Sequence, residues 1–353
     1  MSEYIKFDHT DQLTSMPSAR LAEVRKAVLR DLHEHPVRHI GTEWGVLADI
    51  PQEKTEAAIT DIIGKMSLED KVNQMSADYD PATATFIYDR YNFGPYYAGE
   101  DLKNDIPAIK FTDGPTGVVM GYHATAFPVS IARAATFDPE LETKVGNIIG
   151  IEAKAGGANL FAGVCINLLR HPGWGRAQES YGEDPFLQGT MGAALVDGVQ
   201  RHVMACIKHF AANSIENSRF RVSVEMSERV LREMYLPHFR KCIEAGAASV
   251  MSAYNKVRGQ WCGHNRYLLR QILKTEWGFK GFVMSDFVYG IRGTVEPAKA
   301  GLDIEMNTTQ FYGKRLVDAV RDGLVEEDKI DEAVRRILRE KIRFADVEKG
   351  KNL

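Results

Sequence analysis

The chain has 353 residues, 44% hydrophobic and 26% charged, which is the balance of a globular protein with a substantial core and excludes wholesale disorder. The 44 lysines and arginines face 48 acids, a net charge of −4 with no basic run, so nucleic-acid binding is not expected. Four cysteines with no CxxC pair are too sparse for a disulfide framework, and Cys165, Cys206 and Cys242 sit in apolar or helical stretches that read as sites of buried thiols.

The polar start MSEYIKFDHTDQL lacks a signal-peptide pattern, and no apolar run approaches the roughly 18 residues of a membrane span. The expectation is a soluble, cytoplasmic protein with no membrane partner. Residues 1–54 read as an N-terminal extension. In it Leu21, Val24, Val28, Leu29 and Leu32 predict an amphipathic helix over 17–35, which Pro36 stops. The HEHPVRH run is a solvated helix end rather than a metal site, because Pro36 breaks the helix that would align its histidines.

From residue 55 to 353 short apolar runs alternate with helical patterns. Strands are predicted at 108–113, 159–167, 203–210, 248–254, 281–286 and 302–306. Helices are predicted at 139–155, 225–244, 266–277, 314–324 and 327–344. Continuous apolar strands, each followed by a helix, imply an α/β fold with a parallel sheet covered on both faces. Asp113, Lys208–His209, Tyr254–Asn255 and Asp286 all stand where an apolar run stops. A closed barrel gathers such strand ends on one face, whereas an open sheet scatters them. The predicted fold is therefore a single-domain (β/α)8 TIM-type barrel with an N-terminal helical extension.

Asp286 follows the buried run GFVM and reads either as a helix N-cap or as a nucleophile or base in the barrel mouth. Lys208 and His209 suit a hydroxyl-rich or anionic ligand, or else a solvated strand end. Arg219 and Arg221 offer bidentate hydrogen bonds to vicinal hydroxyls or carboxylates. The aperiodic segment 168–185 is a structured loop in which Arg176 is the best ligand; Glu179, Glu183 and Asp184 read as groups that hold the loop. Dinucleotide and phosphate loops, the GxSxG elbow and HExxH are all missing, so no cofactor or metal is called for.

Eight segments in order, SLEDKVNQM, DGPTGV, ATAFP with AATFDPEL, GWGRAQESYGEDP, IKHFAANSIENSRF, SVMSAYNKVRGQWC, EWGFKGFVMSDF and AGLDIEM, resemble the N-terminal barrel of glycoside hydrolase family 3, the β-glucosidase and β-xylosidase type. The resemblance covers roughly 55–345 and implies a retaining β-glycosidase acting on a small-molecule glycoside. It implies Asp286 as the nucleophile, with Asp113, Arg176, Lys208 and His209 on the sugar hydroxyls. It likewise implies Arg219 and Tyr254 as site residues, Tyr254 beside the nucleophile, and Phe287 in the place of a tryptophan in the sugar platform. The acid/base is unassigned. Large relatives take a glutamate from a second domain, and small ones a His-Asp pair on KHFPGHG, where this chain reads KHFAANSIEN. The resemblance thus points to a homo-oligomer or a partner chain that completes the site, to a local group such as Glu216, or to activated glycosides. A non-catalytic carbohydrate-binding barrel is the alternative.

Overall fold

The computed structural model describes residues 52–79 and 94–345. The expected extension, with its helix over 17–35, lies outside them except at its last residues, where the helix Gln52–Lys65 runs through the expected boundary at 54. The strands in chain order are β1 (Tyr96–Ala98), β2 (Ile109–Thr112), β3 (Leu160–Cys165), β4 (Met204–Phe210), β5 (Ser223–Val224), β6 (Ser249–Ser252), β7 (Lys256–Val257), β8 (Gln260–Trp261) and β9 (Phe282–Met284). The main sheet runs β1-β2-β3-β4-β6-β9, and β5, β7 and β8 form a small second sheet.

From β2 to β9 the main sheet is parallel, as expected, and β3, β4, β6 and β9 are buried along their whole length. Burial on both faces explains why these strands read as unbroken apolar runs. Two expectations are corrected. First, β1 is antiparallel to β2, with Tyr96 opposite Phe111 and Ala98 opposite Ile109. Residues 99–108 are too short for the crossover of about a dozen residues that a parallel neighbour needs, and the turn between Asp101 and Ile106 sends the chain straight back. Second, the ordered strands make a half-barrel sheet and not eight equivalent strands. The segment 302–306 adds one parallel bridge, Met284 to Ile304, because the amides of Asp303 and Ile304 both donate to the Val283 carbonyl and pinch the ladder.

Helices Pro139–Ala155, Pro185–Val199 and Pro237–Glu244 follow β2, β3 and β4. The first two pack closely at Gly198, where a Cβ would stand 2.2 Å from the Thr143 carbonyl oxygen. The helix predicted over 225–244 is broken into Glu228–Val230, a wide-turned Leu231–Tyr235 and Pro237–Glu244. Pro237 has no amide to continue the ladder, and it starts the last piece. Ser227 caps the first piece through the Val230 amide, as its position suggests. In the final helix, Glu327–Arg343, the arginines are not merely solvated: Arg339 binds Glu56, and Arg336 donates to the carbonyls of Phe279 and Gly281. All four cysteines are buried and unpaired. Among the described residues no helix is long and apolar enough to cross a membrane.

Candidate functional site

Because β2, β3, β4, β6 and β9 run the same way, their C-terminal ends carry Asp113, Asn167, Lys208–His209, Tyr254 and Asp286 to one edge. Asp113 opens the DGPTG turn. Gly114 in that turn has φ +129°, and a Cβ there would lie 1.8 Å from the Gly117 oxygen, so glycine is required for the chain to turn behind the acid. The two Asp113 oxygens accept Lys208 Nζ at 2.6 and 2.8 Å. Burial is the largest single influence on the Lys208 ammonium and would push its pKa down, but Asp113, with smaller help from Glu179 and Cys165, turns the net direction up.

Arg176 stands in the loop 168–185. Gln188 anchors that loop by donating to the Asn167 and Gly182 carbonyls and to Ser180 Oγ, while Asp184 caps the helix that follows. Glu179 accepts Arg176 Nη2 and Nε at 2.6 and 3.0 Å, which leaves Nη1 facing His209 Nε2 at 2.9 Å. Arginine has no acceptor, so His209 Nε2 must accept. The ring proton then sits on Nδ1 and goes to Asn167 Oδ1 at 3.1 Å, and the same oxygen takes the His209 amide at 2.8 Å. Burial, together with the neighbouring Arg176 and Lys208, holds the His209 pKa well below its ordinary value. The 3.8 Å approach of its Nε2 to Asp286 Oδ2 is therefore a contact between a neutral ring and a carboxyl group, not an ion pair.

Asp286 follows β9 and caps no helix, since the next one begins at Val295. Its Oδ1 accepts the Phe287 amide at 2.8 Å, while Oδ2 has no hydrogen-bond partner among the described residues. Its side chain is 10% accessible. Burial raises its pKa, against the opposing pull of Arg176, the Phe287 amide, Arg219 and Lys208. Tyr254 donates its hydroxyl to the Phe287 carbonyl at 2.8 Å. The Arg219 guanidinium lies 4.6 Å over the Tyr254 ring and binds Glu216 Oε2 at 2.8 Å, and the other Glu216 oxygen takes the Trp174 indole at 3.0 Å.

The residues singled out from the sequence thus form two linked groups around Asp286. One contains Asp113, Lys208, Arg176 and His209; the other contains Arg219 and Tyr254. Phe287 follows Asp286 in the chain and takes the Tyr254 hydroxyl on its carbonyl, but its ring packs on Phe111 and Tyr96, with centroids at 4.8 and 5.3 Å. Asn167 and Trp174 were missed as positioning groups, whereas Glu179 pairs with Arg176 inside the loop as expected, and Glu216, expected only as a candidate acid, pairs with Arg219. Asn167 carried the same signal as Asp286, a polar residue just past an apolar run. Among the described residues no three His, Cys, Asp or Glu side chains gather as a metal site would need.

The model of the glycosyl hydrolase family 3 N terminal domain matches residues 96–340. The chain belongs to glycosyl hydrolase family 3. A β-glucosidase of Rhizobium radiobacter is 40% identical over 290 residues, covering 79% of this chain and 33% of that protein. β-Glucosidase B of Emericella nidulans is 36% identical over 296 residues, covering 81% and 33%. Among solved family 3 structures, β-glucosidase 3B of Thermotoga neapolitana in complex with α-D-glucose aligns with a TM-score of 0.74 at 33% identity, covering 83% of this chain and 45% of that one. DesR, a β-glucosidase of Streptomyces venezuelae in complex with D-glucose, aligns with a TM-score of 0.74 at 33% identity, covering 81% and 37%. The chain spans about a third of the length of these curated relatives.

Proposed function

We propose that this family 3 chain carries the sugar-binding and nucleophilic half of a retaining β-glucosidase-like site. The observation that carries the reading is Asp286: a strand-end carboxyl group with one oxygen unengaged, set beside Arg176, Lys208 and Arg219. Ionised Asp286 attacks the anomeric carbon, the glycosidic C–O bond breaks, and its electron pair leaves on the aglycone oxygen, which takes a proton. Water then displaces Asp286 and restores the carboxylate. The paired Asp113 and Lys208 present an acceptor and a donor to adjacent sugar hydroxyls. Neutral His209 holds Arg176 so that its charge faces the carboxylate, which helps to keep Asp286 ionised despite burial.

The retaining mechanism needs a second carboxyl group about 5–5.5 Å from the first. The other carboxylates of the cluster are engaged: Asp113 by Lys208, Glu179 by Arg176 and Glu216 by Arg219. We therefore assign the acid/base to a group outside the described residues, with another copy of this chain or a partner chain among its sources. We also read the sheet as part of a closed eight-membered ring. In support, the Glu305 amide donates to the Met75 carbonyl, and Ala77 bridges to Ala98 in β1, so segments 75–77 and 303–305 span the gap between β9 and β1.

The test is turnover of an aryl β-glucoside with an activated phenol, which needs little protonation. Asp286→Ala is expected to lose at least about a thousandfold in kcat. A fluorinated glucoside that slows the second step should add one glycosyl mass to the peptide containing Asp286. Wild-type turnover in Asp286→Ala, or labelling elsewhere, rejects the assignment.

A further inference from the structure

Beside the reacting carboxyl group lies a set of side chains that the sugar site does not use. Phe220 meets Tyr254 edge-on at 4.8 Å, and Tyr289 meets Phe220 at 5.3 Å, so three rings lead outward from the nucleophile's own loop. Tyr254 is buried, but Phe220 and Tyr289 are 38% and 43% exposed. Tyr289 stands three residues beyond Asp286, and Tyr254 is tied to the Phe287 carbonyl, so this aromatic row begins one residue from the bond-forming oxygen. Large exposed rings side by side forgo burial unless a ligand covers them.

The charge around the row is one-sided. Arg292 donates to the Phe220 carbonyl at 3.2 Å and lies 3.8 Å over the Trp261 ring. Lys256 covers the same ring at 4.5 Å. Among the described residues neither cation has a carboxylate within ion-pair distance. Arg219, by contrast, is paired with Glu216. Glu296 acts on His264, whose Nε2 accepts the Arg292 backbone amide. A neutral sugar would leave these two cations without a counter-charge. A flat ring bearing a carboxylate would stack on Phe220 and Tyr289 and supply one.

The geometry points to an aglycone subsite, built from Phe220, Tyr289, Arg292 and Lys256, that selects aromatic aglycones carrying a carboxylate. It rests on the glucosidase reading and names that site's substrate class.

Binding, not turnover, tests it, so that no acid/base is needed. Calorimetric titrations of the full chain would use glucose and then the non-hydrolysable methyl, phenyl and para-carboxyphenyl β-thioglucosides. The phenyl compound is expected to bind about three- to tenfold tighter than the methyl one, the usual worth of aromatic packing. The carboxylate should add roughly two- to fivefold at low salt and lose it at high salt. Replacing both rings, Phe220→Ala with Tyr289→Ala, should erase the phenyl gain. Arg292→Gln should erase the carboxylate gain. The Arg292→Gln change should not move glucose affinity. If glucose binds but the phenyl or carboxylate increments are missing, or if a thio-linked glucose disaccharide binds better than the carboxyphenyl compound, the subsite is wrong. If glucose itself does not bind, the glucosidase reading fails and this inference with it.

Discussion

Two buried lysines of this protein each grip an aspartate at 2.6 Å, Lys208 on Asp113 and Lys274 on Asp303, yet they do different work. The side chain of Asp303 is 2% accessible, whereas that of Asp113 is 21% accessible. Asp303 turns its other oxygen to the Val283 amide at 2.7 Å, so Lys274 and Asp303 bolt the helix Tyr267–Glu276 to β9 and the segment beside it. Asp113 gives both oxygens to Lys208 and keeps one side toward solvent. Burial wins at Lys274, whose pKa falls to about 8, while at Lys208 burial is overcome by Asp113 together with Glu179 and Cys165 and the pKa rises. The same pair of side chains is a structural bolt when sealed and, in the proposed site, the pair that meets the sugar when one side is left open.

Removing the lysines one at a time should break or sharpen this contrast. Lys274→Met leaves a sealed carboxylate without a partner and is expected to cost about 3–5 kcal/mol of unfolding free energy. Lys208→Met leaves Asp113 where water can reach it, and about 1–2 kcal/mol is expected. Glucose binding should vanish in the second variant and, at temperatures where the fold survives, persist in the first. Equal losses of stability by denaturant titration would show that exposure of the acid is not what separates the pairs.

The next effect belongs to the open region. Asn167 uses one oxygen for both the His209 amide and the His209 ring proton. Asn167→Ala strands two buried donors, worth roughly 1–3 kcal/mol. Arg176 should then lose its fixed acceptor, and kcat/KM on an aryl glucoside should fall more than stability alone explains. A stable variant with unaltered kcat/KM would make Asn167 purely structural.

How far these regions could be read in advance differs for physical reasons. Asp113 and Asp286 were legible because an apolar run that stops at a charge has few explanations in a parallel sheet. Lys274 was not, since a lysine in LLRQILKTEW looks like the polar face of a helix, and only the fold brings Asp303 beneath it. The antiparallel β1 was illegible because three residues, YYA, carry no period. The His209 tautomer depends on Arg176, 33 residues away in sequence, which no local pattern places. The segment 302–306, expected as a strand, joins β9 only through the single bridge Met284–Ile304, too short to make a ladder.

A smaller effect tests how the site tolerates its own charge. Burial raises the Asp286 carboxyl pKa, so the folded protein holds this proton more tightly than the unfolded chain does. The stability that proton confers is complete below the ordinary aspartate range and is lost as pH rises through the raised value. Asp286→Asn keeps an acceptor for the Phe287 amide and escapes that loss. It should be more stable than wild type at neutral pH by about 1 kcal/mol, as when a functional strain is relieved, with the gap closing on acidification. The wild-type kcat/KM should fall on acidification with a midpoint above the ordinary aspartate value, because only the ionised form attacks. A gap that widens in acid would reverse the sign of the argument.

The smallest effect is expected at Glu216, whose pair with Arg219 is partly exposed on both sides and so resembles a surface ion pair more than either buried lysine does. Glu216→Gln keeps an oxygen for the Trp174 indole and loses only the charge facing Arg219. The guanidinium retains its seat over the Tyr254 and Phe220 rings, at 4.6 and 4.8 Å, so it should drift rather than leave. A rise of about two- to fivefold in KM with little change in kcat is the signature of such a positioning residue. An acid catalyst would behave otherwise: kcat would collapse for glucosides of weakly acidic alcohols and stay near normal for activated phenols. That pattern would move the missing proton donor into this chain and remove the need for a second one.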